Sequence, residues 1–224
     1  MTEPRTTRLS ARSGASPSTA PVTVLATRPL MRWRGVDLIT AAMLAVAFGV
    51  VFWGFNTLIY PLLHAATSGF PPAGELMLGV WLAPAVVAGL VIRRPGAALF
   101  TELVAAYISL LPGNEWGAAA LLSGVLQGLG VELVLALFRH RRYGVLVAIL
   151  GGVVAAVFEI VFYEWHSYVA EYSAAWKAIY LVAGMISGAL IAGAGSWALV
   201  RALARTGALN AFPAGQEVRE SRPV

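Results

Sequence analysis

The stretch GELMLGVWLAPAVVAGLVIRRPGAALFTELVAAYISLLPG (residues 74–113) decides the fold. It contains two apolar runs, residues 74–92 and 96–111, which Arg93, Arg94 and Pro95 separate. The first run is close to the roughly 20 residues that a bilayer-crossing helix needs. The second has 16 residues, and would be about 24 Å long as a helix. Whether this second run crosses the bilayer must therefore be decided from other features of the sequence.

The whole sequence has the same apolar character. Of its 224 residues, 58% are hydrophobic and 12% are charged, whereas typical soluble domains are about 25% charged. The mean hydropathy is +0.74. These values exclude an ordinary soluble protein and indicate an all-α polytopic membrane protein. The chain has no cysteine, which excludes disulfides, thiolate metal sites and thiol nucleophiles.

Six apolar segments suit membrane-spanning helices: residues 36–63, 74–92, 96–111, 116–138, 144–163 and 175–203. Basic residues fall at alternate ends of these segments, and the other ends have a single one, Lys177. The basic residues are Arg32, Arg34, Arg93, Arg94, Arg139, Arg141, Arg142, Arg201 and Arg205. The positive-inside rule therefore predicts six crossings with both termini in the cytoplasm. The sequence pI near 10 then reflects membrane topology, and we expect no nucleic-acid partner.

Polar segments flank the predicted membrane domain, residues 32–205. Residues 1–31 contain four prolines and lack the apolar core of a signal peptide, so we expect a disordered cytoplasmic tail. Residues 206–224 are similar in composition and are expected to be a second cytoplasmic tail. The sequence has no phosphate-binding glycine loop that ends in Lys-Ser/Thr, so the chain is not expected to hydrolyse nucleotides.

Carboxylates inside the predicted spans are energetically costly and are therefore candidate functional groups. Glu102 and Glu132 lie at similar depths on adjacent spans and are either interhelical hydrogen-bonding groups or functional groups. Asp37 lies beside Arg34 at the end of the first span, where we expect a structural ion pair or an interfacial placement. Glu159 lies near the outer end of the fifth span, where burial strengthens an ion pair while the group stays reachable from outside.

The predicted outer side is both acidic and rich in tryptophan. The tryptophans are either an interfacial belt or part of a binding site. Carboxylates and indole rings together bind organic cations, through ion pairs and cation–π contacts. The candidate binding residues are Glu159 as counter-charge, Glu75, Glu115 and Glu164 as further carboxylates, Trp53, Trp116 and Trp165 as stacking groups, and Asn56, Gln127 and Tyr163 as hydrogen-bonding groups.

Helical spacing supports this set. Trp53, Asn56 and Tyr60 are spaced i, i+3 and i+7, which predicts one shared helix face. Glu159, Tyr163 and His166 are spaced i, i+4 and i+7, with the same implication. Gln127 is the deepest candidate and is expected to form the floor of the site.

Small residues recur every four positions at Ala41, Ala45 and Gly49 in the first span. Such stripes let helices approach closely. Similar stripes in the fourth and sixth spans, residues 124–128 and 184–196, are expected to pack within the chain.

Three segments resemble one family: RWRGVDLITAAMLAVAFGVVFWGFN (32–56), PGNEWG (112–117) and GVLQGLGVELVLALFR (124–139). They resemble the YkoE family of substrate-binding S components of energy-coupling-factor (ECF) transporters, over about residues 32–205. The resemblance implies a plasma-membrane subunit that binds thiamine or its hydroxymethylpyrimidine precursor. It also implies a transmembrane coupling protein and two ATP-binding cassette subunits or domains as partners, with no cofactor on this chain. The Ala41-x-x-x-Ala45 pair matches the motif by which S components dock on the coupling protein, so Ala41, Ala45 and Gly49 are expected to be a docking surface.

Thiamine suits the acidic outer side because it carries a fixed thiazolium charge beside a flat aminopyrimidine. The pyrimidine precursor lacks the fixed cation and would use less of that acidity. Two hypotheses from other classes are a proton-coupled secondary carrier and an intramembrane enzyme. A clear internal repeat, typical of secondary carriers, is not evident. The three histidines are scattered and no H-E-x-x-H motif occurs, so an enzyme is not expected.

Overall fold

The protein is described by a computed structural model over residues 31–220. The predicted tail at residues 1–31 lies, apart from Met31, outside the described residues, as do residues 221–224. Within the described range every regular element is helical. The helices are α1 (Gly35–Thr67), α2 (Pro71–Ile92), α3 (Ala97–Leu110), α4 (Ala119–Leu137), α5 (Val145–Ser167), α6 (Ala174–Thr206) and α7 (Pro213–Glu220).

Five of the described helices, α1, α2, α4, α5 and α6, are long and apolar enough to cross a membrane. Helix α3 has 14 residues, about 21 Å of helix. It nevertheless runs between the same two ends of the bundle, because it begins just after Arg94 and Pro95 and ends near Asn114. The predicted all-α membrane bundle is confirmed.

Helix α2 is the centre of the bundle. In the most apolar stretch of α2, 72% of the residues are buried inside the protein, whereas in the corresponding stretch of α1 only 22% are buried. Leu82, Val86 and Ile92 of α2 are almost completely buried. Helix α1 therefore lies at the periphery, with an apolar face that suits contact with lipid.

Helices α5 and α6 approach each other at the level of their backbones. A Cβ atom added to Gly152 would overlap the carbonyl of Gly188, and one added to Gly188 would overlap the carbonyl of Gly152. Glycine is the residue that permits this separation. The small-residue stripe of the sixth predicted span therefore packs within the chain, as expected.

Three helices contain π-helical segments, in which hydrogen bonds run from residue i to residue i+5. They are Phe55–Ile59 in α1, Ile160–Glu164 in α5 and Gly188–Gly195 in α6. Helix α2 begins with a 3-10 segment, Pro71–Met77. The first two π segments and the 3-10 segment lie at the same end of the bundle, where they shape the cavity described below.

The other end, which we call the arginine end, carries the arginines of the α1 start and of the α2–α3 and α4–α5 connections. Asp37 is fully buried and accepts a hydrogen bond from Arg34 Nε at 2.9 Å, while Arg94 Nε lies 3.7 Å from its other oxygen. The predicted Arg34–Asp37 ion pair is confirmed. Trp33 Nε1 donates to the carbonyl of Pro95 at 3.2 Å, which ties α1 to the α2–α3 turn.

The segment after α6 folds back onto the arginine end. Arg93 donates two hydrogen bonds to Glu217 of α7, at 2.6 and 2.8 Å. Phe212 and Val218 are buried against the bundle. The described part of the expected C-terminal tail, up to residue 220, therefore contains an ordered helix, because its few apolar residues and Glu217 find partners on the core.

Candidate binding site: a carboxylate-lined cavity

A cavity of about 640 Å³ opens at the end of the bundle opposite the arginines. This end, the cavity end, comprises the α1–α2, α3–α4 and α5–α6 connections. Small-molecule sites typically have volumes of about 300–1,000 Å³. Helices α1 to α6 all contribute lining residues. The cavity is therefore large enough for a vitamin-sized ligand and is built by the whole bundle.

Four carboxylates line the cavity: Glu75, Glu102, Glu159 and Glu164. Glu102, Glu159 and Glu164 are 0%, 3% and 6% exposed. Each of the four has one buried oxygen without a hydrogen-bond partner. Buried polar atoms in folded proteins are nearly always paired. Four unpaired carboxylate oxygens around one cavity therefore indicate a site that is completed by a cationic or hydrogen-bond-donating ligand.

The remaining carboxylate oxygens fix the orientation of two of these groups. Ser123 Oγ of α4 donates to Glu159 Oε1 at 2.6 Å, and Gln127 of the same helix lines the cavity as well. The backbone N–H of Ala85 donates to Glu102 Oε2 at 2.8 Å. Glu102 thus links α3 to α2 and also lines the cavity, so its interhelical contact is observed and its functional role stays a prediction.

Glu132, the other carboxylate with an open role, has a structural contact. Its Oε1 accepts a hydrogen bond from the backbone N–H of Ala98 at 2.8 Å. Ala98 lies in the first turn of α3, where backbone N–H groups have no partner within the helix. Glu132 therefore caps α3 from α4 and does not line the cavity.

The π segment of α5 brings Glu159 and Glu164 into the same cavity. Residues five apart on an α-helix are separated by about 140° around its axis. In a π-helical turn the i to i+5 hydrogen bond places them close to one face. Both carboxylates line the cavity, together with Glu75 and Tyr180. The π segment is the local structure that makes this arrangement possible.

Three aromatic rings form a wall of the cavity. The ring centroids of Tyr60 and Trp81 are 5.5 Å apart, those of Tyr60 and Trp116 are 5.1 Å apart, and those of Trp81 and Trp116 are 5.8 Å apart. Trp81 Nε1 donates to Asn56 Oδ1 at 3.0 Å, which orients its indole. Edge-to-face packing of this kind holds the rings in place and presents π surfaces to a flat or cationic ligand.

Tyrosines frame the entrance. Tyr168, just beyond α5, lines the cavity, and its hydroxyl lies 3.2 Å from that of Tyr163. Burial raises the pKa of Tyr168 above its ordinary value, so at neutral pH this phenol is an uncharged hydrogen-bonding group. The entrance therefore adds polarity without adding charge.

Six of the ten residues predicted from the sequence line this cavity. They are Asn56, Glu75, Trp116, Gln127, Glu159 and Glu164. The other four do not line it. Trp53 is 40% exposed, and Glu115 lies on an exposed loop. Tyr163 falls inside the π segment, which changes the facing expected from α-helical spacing. Trp165 packs against the core beside Lys177, whose Nζ lies 6.0 Å from the centre of its ring.

Sequence reasoning missed three lining side chains that matter here, Trp81, Tyr180 and Ser123. Trp81 lies well inside α2, so it does not stand out as an interfacial residue. Tyr180 and Ser123 lie within long apolar spans, and each matters because of a partner on another helix. Of these three residues, only Trp81 could have been singled out from the sequence, because it lies too deep in its span to belong to an interfacial aromatic belt.

The expected docking stripe on α1 is not an exposed surface in this structure. Ala41 and Ala45 are 0% exposed, and Gly49 faces α3, where an added Cβ would lie 2.6 Å from Ile108 Cβ. The stripe lets α1 and α3 pack closely, which is the intramolecular use of such a pattern. The exposed face of α1 carries larger apolar residues such as Leu38 and Met43.

An apolar bundle with a polar cavity at one end defines the class: a multi-pass membrane protein with a cavity of small-molecule size. Comparison with known proteins gives the family. Residues 36–158 match the family model described as "ABC-type cobalt transport system, permease component". The chain is 34% identical over 190 residues to the protein of Bacillus subtilis (strain 168) named HMP/thiamine permease protein YkoE, an alignment that covers 85% of this chain and 94% of that protein.

A solved structure leads to the same family. The chain superposes on the crystal structure of an S-component of an ECF transporter with a TM-score of 0.79 and 33% identity, covering 85% of this chain and 95% of that one. The chain belongs to the YkoE family of ECF-transporter S components, as the sequence resemblance predicted. These relatives are named as transporter components.

Proposed function

We propose that this chain is the substrate-binding subunit of an ATP-driven ECF importer in the plasma membrane, and that its substrate is thiamine. The observation that carries this proposal is the set of four carboxylates with unpaired oxygens around one cavity. A fixed organic cation satisfies such a site without transferring a proton. The name of the Bacillus subtilis relative, an HMP/thiamine permease, supports the same chemistry.

Glu159 is the proposed counter-charge for the thiazolium. It is 3% exposed, and Ser123 holds one of its oxygens while the other is unpaired. The ring wall formed by Tyr60, Trp81 and Trp116 would stack against the ligand, and Gln127, at the depth of Glu159, offers an amide to the aminopyrimidine. A desolvated cation–π contact contributes about 2 kcal/mol, so the ring wall and the ion pair together suit a tight site.

The orientation of the bundle follows from its charges. The positive-inside rule favours an orientation with the arginine end in the cytoplasm and the cavity end outside. The cavity would then receive its ligand from outside the cell, with both termini cytoplasmic. Docking on the coupling protein through α1 also remains a proposal. The residues of α1 available for it in this structure lie on the exposed face that includes Leu38 and Met43.

Hydroxymethylpyrimidine is the alternative substrate of the same site, since it would use the ring wall and Gln127 without a cation. Cobalt, which the family model's description mentions, has less support from the structure. Among residues 31–220 no group of three or more His, Asp or Glu side chains is arranged to hold a metal ion. The cavity carboxylates are accompanied by indoles and phenols, which suit an organic ligand.

Two measurements on protein purified in mild detergent test the proposal. Mass spectrometry of the small molecules released on denaturation is expected to identify thiamine. Calorimetric titration of ligand-free protein is expected to show saturable, one-site thiamine binding, which the Glu171→Gln variant retains because Glu171 is exposed and does not line the cavity. Tight binding of hydroxymethylpyrimidine with weak binding of thiamine would favour the alternative.

Uptake into cells or vesicles separates this role from a proton-coupled carrier. Thiamine uptake is expected to require the partner subunits and ATP hydrolysis. Uptake by this chain alone, driven by a proton gradient, would contradict the proposed function.

A further inference from the structure

We propose that binding of an organic cation in this cavity is coupled to the release of a proton, and that the proton leaves the side chain of Glu159. This inference rests on the proposed function, since it states how the site accommodates the charge of its ligand. The free cavity would then be close to neutral, and a carboxylate would form only where the cation lies.

Four carboxyl groups share the cavity, and three of them are almost completely shielded from water. Glu102, Glu159 and Glu164 are 0%, 3% and 6% exposed, and Glu75 completes the set. Taking a carboxylate out of water without a partner is costly, and a buried carboxyl usually responds by holding a proton. Several carboxylates around one space would also repel one another. The geometry of the free cavity therefore favours carboxyls that carry protons.

The groups that face these carboxyls supply no permanent positive charge. The described residues that line the cavity include no lysine or arginine, and the titratable ones other than the carboxyls are Tyr60, His64, Tyr168, Tyr172 and Tyr180. Phenols are uncharged at neutral pH, and His64 is exposed at the end of α1. Lys177 lies outside the lining, with its Nζ 3.5 Å from the carbonyl oxygen of Trp165. A buried carboxylate in the lining therefore depends on the ligand for its counter-charge.

Glu159 has the geometry of a carboxyl that can hold a proton and give it up. Its Oε1 accepts a hydrogen bond from Ser123 Oγ at 2.6 Å. Its Oε2 is buried and has no hydrogen-bond partner among the described residues, so the proton would lie on this second oxygen. In that form Glu159 is a neutral acid whose orientation is fixed by Ser123. Loss of the proton creates the carboxylate without requiring the side chain to move.

The charge of the ligand decides whether the proton leaves. A fixed cation has no proton of its own to give, so the carboxyl that becomes its counter-charge must release one. The O–H bond of Glu159 breaks, its electron pair stays on Oε2, and the proton passes to water. The new ion pair offsets the cost of the buried charge, since opposite charges attract strongly in a water-poor site. A neutral ligand of the same shape would leave Glu159 protonated.

The test counts protons by calorimetric titration of the purified protein at neutral pH. The heat of binding is measured in several buffers of different ionisation enthalpy, and its slope against that enthalpy gives the number of protons released. We expect about one proton for each thiamine bound, and a thiamine affinity that rises with pH by up to about tenfold per unit. The neutral analogue deazathiamine, in which a thiophene ring replaces the thiazolium, is expected to release less than a third as many protons.

Three variants assign the proton. Glu159→Gln keeps the shape of the side chain but has no carboxyl proton to lose, so thiamine is expected to release less than half as many protons as from the wild type. His64→Gln removes the imidazole from the lining, and Glu171→Gln changes an exposed carboxylate outside the cavity. Both are expected to release as many protons as the wild type. A further readout needs no variant, because the infrared absorption of a protonated carboxyl is expected to decrease when thiamine binds to the wild type.

Several results would overturn the inference and leave the proposed function in place. They are thiamine binding by the wild type without proton release, equal release on binding of deazathiamine, and unchanged release in Glu159→Gln. Loss of the release in His64→Gln would assign the proton to the imidazole instead. A thiamine affinity that falls with sodium concentration, without proton release, would show that an inorganic cation neutralises the free cavity.

Failure of the proposed function gives a different result. If the wild type binds no thiamine at all, the proposed function fails and the inference falls with it. If Glu159→Gln does not fold or binds too weakly for a titration, the infrared change in the wild type decides. An unchanged carboxyl absorption on thiamine binding would then overturn the inference.

Discussion

The two ends of this bundle use acidic residues in opposite ways. At the arginine end, Asp37 is fully buried between Arg34 and Arg94, and Glu217 forms a two-point ion pair with Arg93. At the cavity end, Glu159 and Glu164 are also buried, yet each keeps an oxygen without a partner. A paired carboxylate is part of the structure, whereas an unpaired one faces the space that a ligand would occupy.

This comparison explains why charge within a membrane helix is only a first indication of function. Glu102 and Glu132 look alike in sequence, since both lie inside apolar spans. In the structure Glu132 caps α3, while Glu102 both supports α2 and lines the cavity. An unpaired oxygen beside the cavity is what makes Glu102 a candidate binding group.

Breaking the buried charge pair at the arginine end is expected to have the largest effect on stability. Asp37→Ala leaves Arg94, which is 6% exposed, without this carboxylate. Removing one partner of a buried ion pair typically costs about 3–5 kcal/mol. Denaturant unfolding in detergent measures the loss, with Glu115→Ala at an exposed position as control. The Asp37→Ala protein that still folds is expected to bind thiamine with wild-type affinity. Equal stability of Asp37→Ala and Glu115→Ala would contradict the structural role of Asp37.

Crowding the α1–α3 contact is expected to have a smaller but clear effect. In Gly49→Ala the new Cβ would lie 2.6 Å from Ile108 Cβ, and such overpacking typically costs about 1–3 kcal/mol. Gly54→Ala in the same helix is the matched control, because nothing lies within 4 Å of its added Cβ. Thermal unfolding of the isolated subunit compares the two. If Gly49→Ala impairs only assembly with a coupling protein and leaves the isolated subunit unchanged, the stripe is a docking surface after all.

Releasing α7 is expected to have the smallest energetic effect. Glu217 is 20% exposed, and Glu217→Gln removes its charge while Arg93 retains its contact with the Tyr143 ring at 4.6 Å. A loss of about 1 kcal/mol is expected for a partly exposed pair. Proteolysis near residue 212 is expected to accelerate in this variant and not in Glu220→Gln, an exposed change on the same helix. Identical cleavage rates would show that the ion pair does not hold α7 in place.

Which end faces outside can be read by chemical labelling, because the native chain has no cysteine. A cysteine at position 115, on the cavity end, is expected to react with a membrane-impermeant thiol reagent added to intact cells. A cysteine at position 142, on the arginine end, is expected to react only after the cells are opened. The reverse pattern would place the cavity in the cytoplasm.

Much of the architecture could be predicted from the sequence, because lipid imposes simple rules. The lengths of the apolar runs and the alternation of arginines predicted the helices and placed α3 among them. The Arg34–Asp37 pair could be predicted because its members are three residues apart on one helix. The ordered α7 could not, since its stability depends on the distant partner Arg93.

The lining of the cavity could be predicted in part, and one of the differences has a local physical cause. Glu159 and Tyr163 were expected to share a face because they are four residues apart, which holds for an α-helix. The π segment Ile160–Glu164 changes that spacing and brings Glu164 to the cavity instead. A π-helical turn has no clear sequence signature, so the pairing of Glu159 with Glu164 required coordinates. The burial of the α1 stripe likewise depends on which helix packs against it.

The most direct test of the central claim is the affinity of Glu159→Gln for two ligands. Glutamine keeps the shape of the side chain and can still accept the hydrogen bond from Ser123, so the change removes mainly the charge. Thiamine affinity is expected to fall at least tenfold, equivalent to about 1.4 kcal/mol, while the affinity for hydroxymethylpyrimidine, which has no fixed cation, changes much less. Equal losses for both ligands, or no loss for thiamine, would contradict the role of Glu159 as the counter-charge for an organic cation.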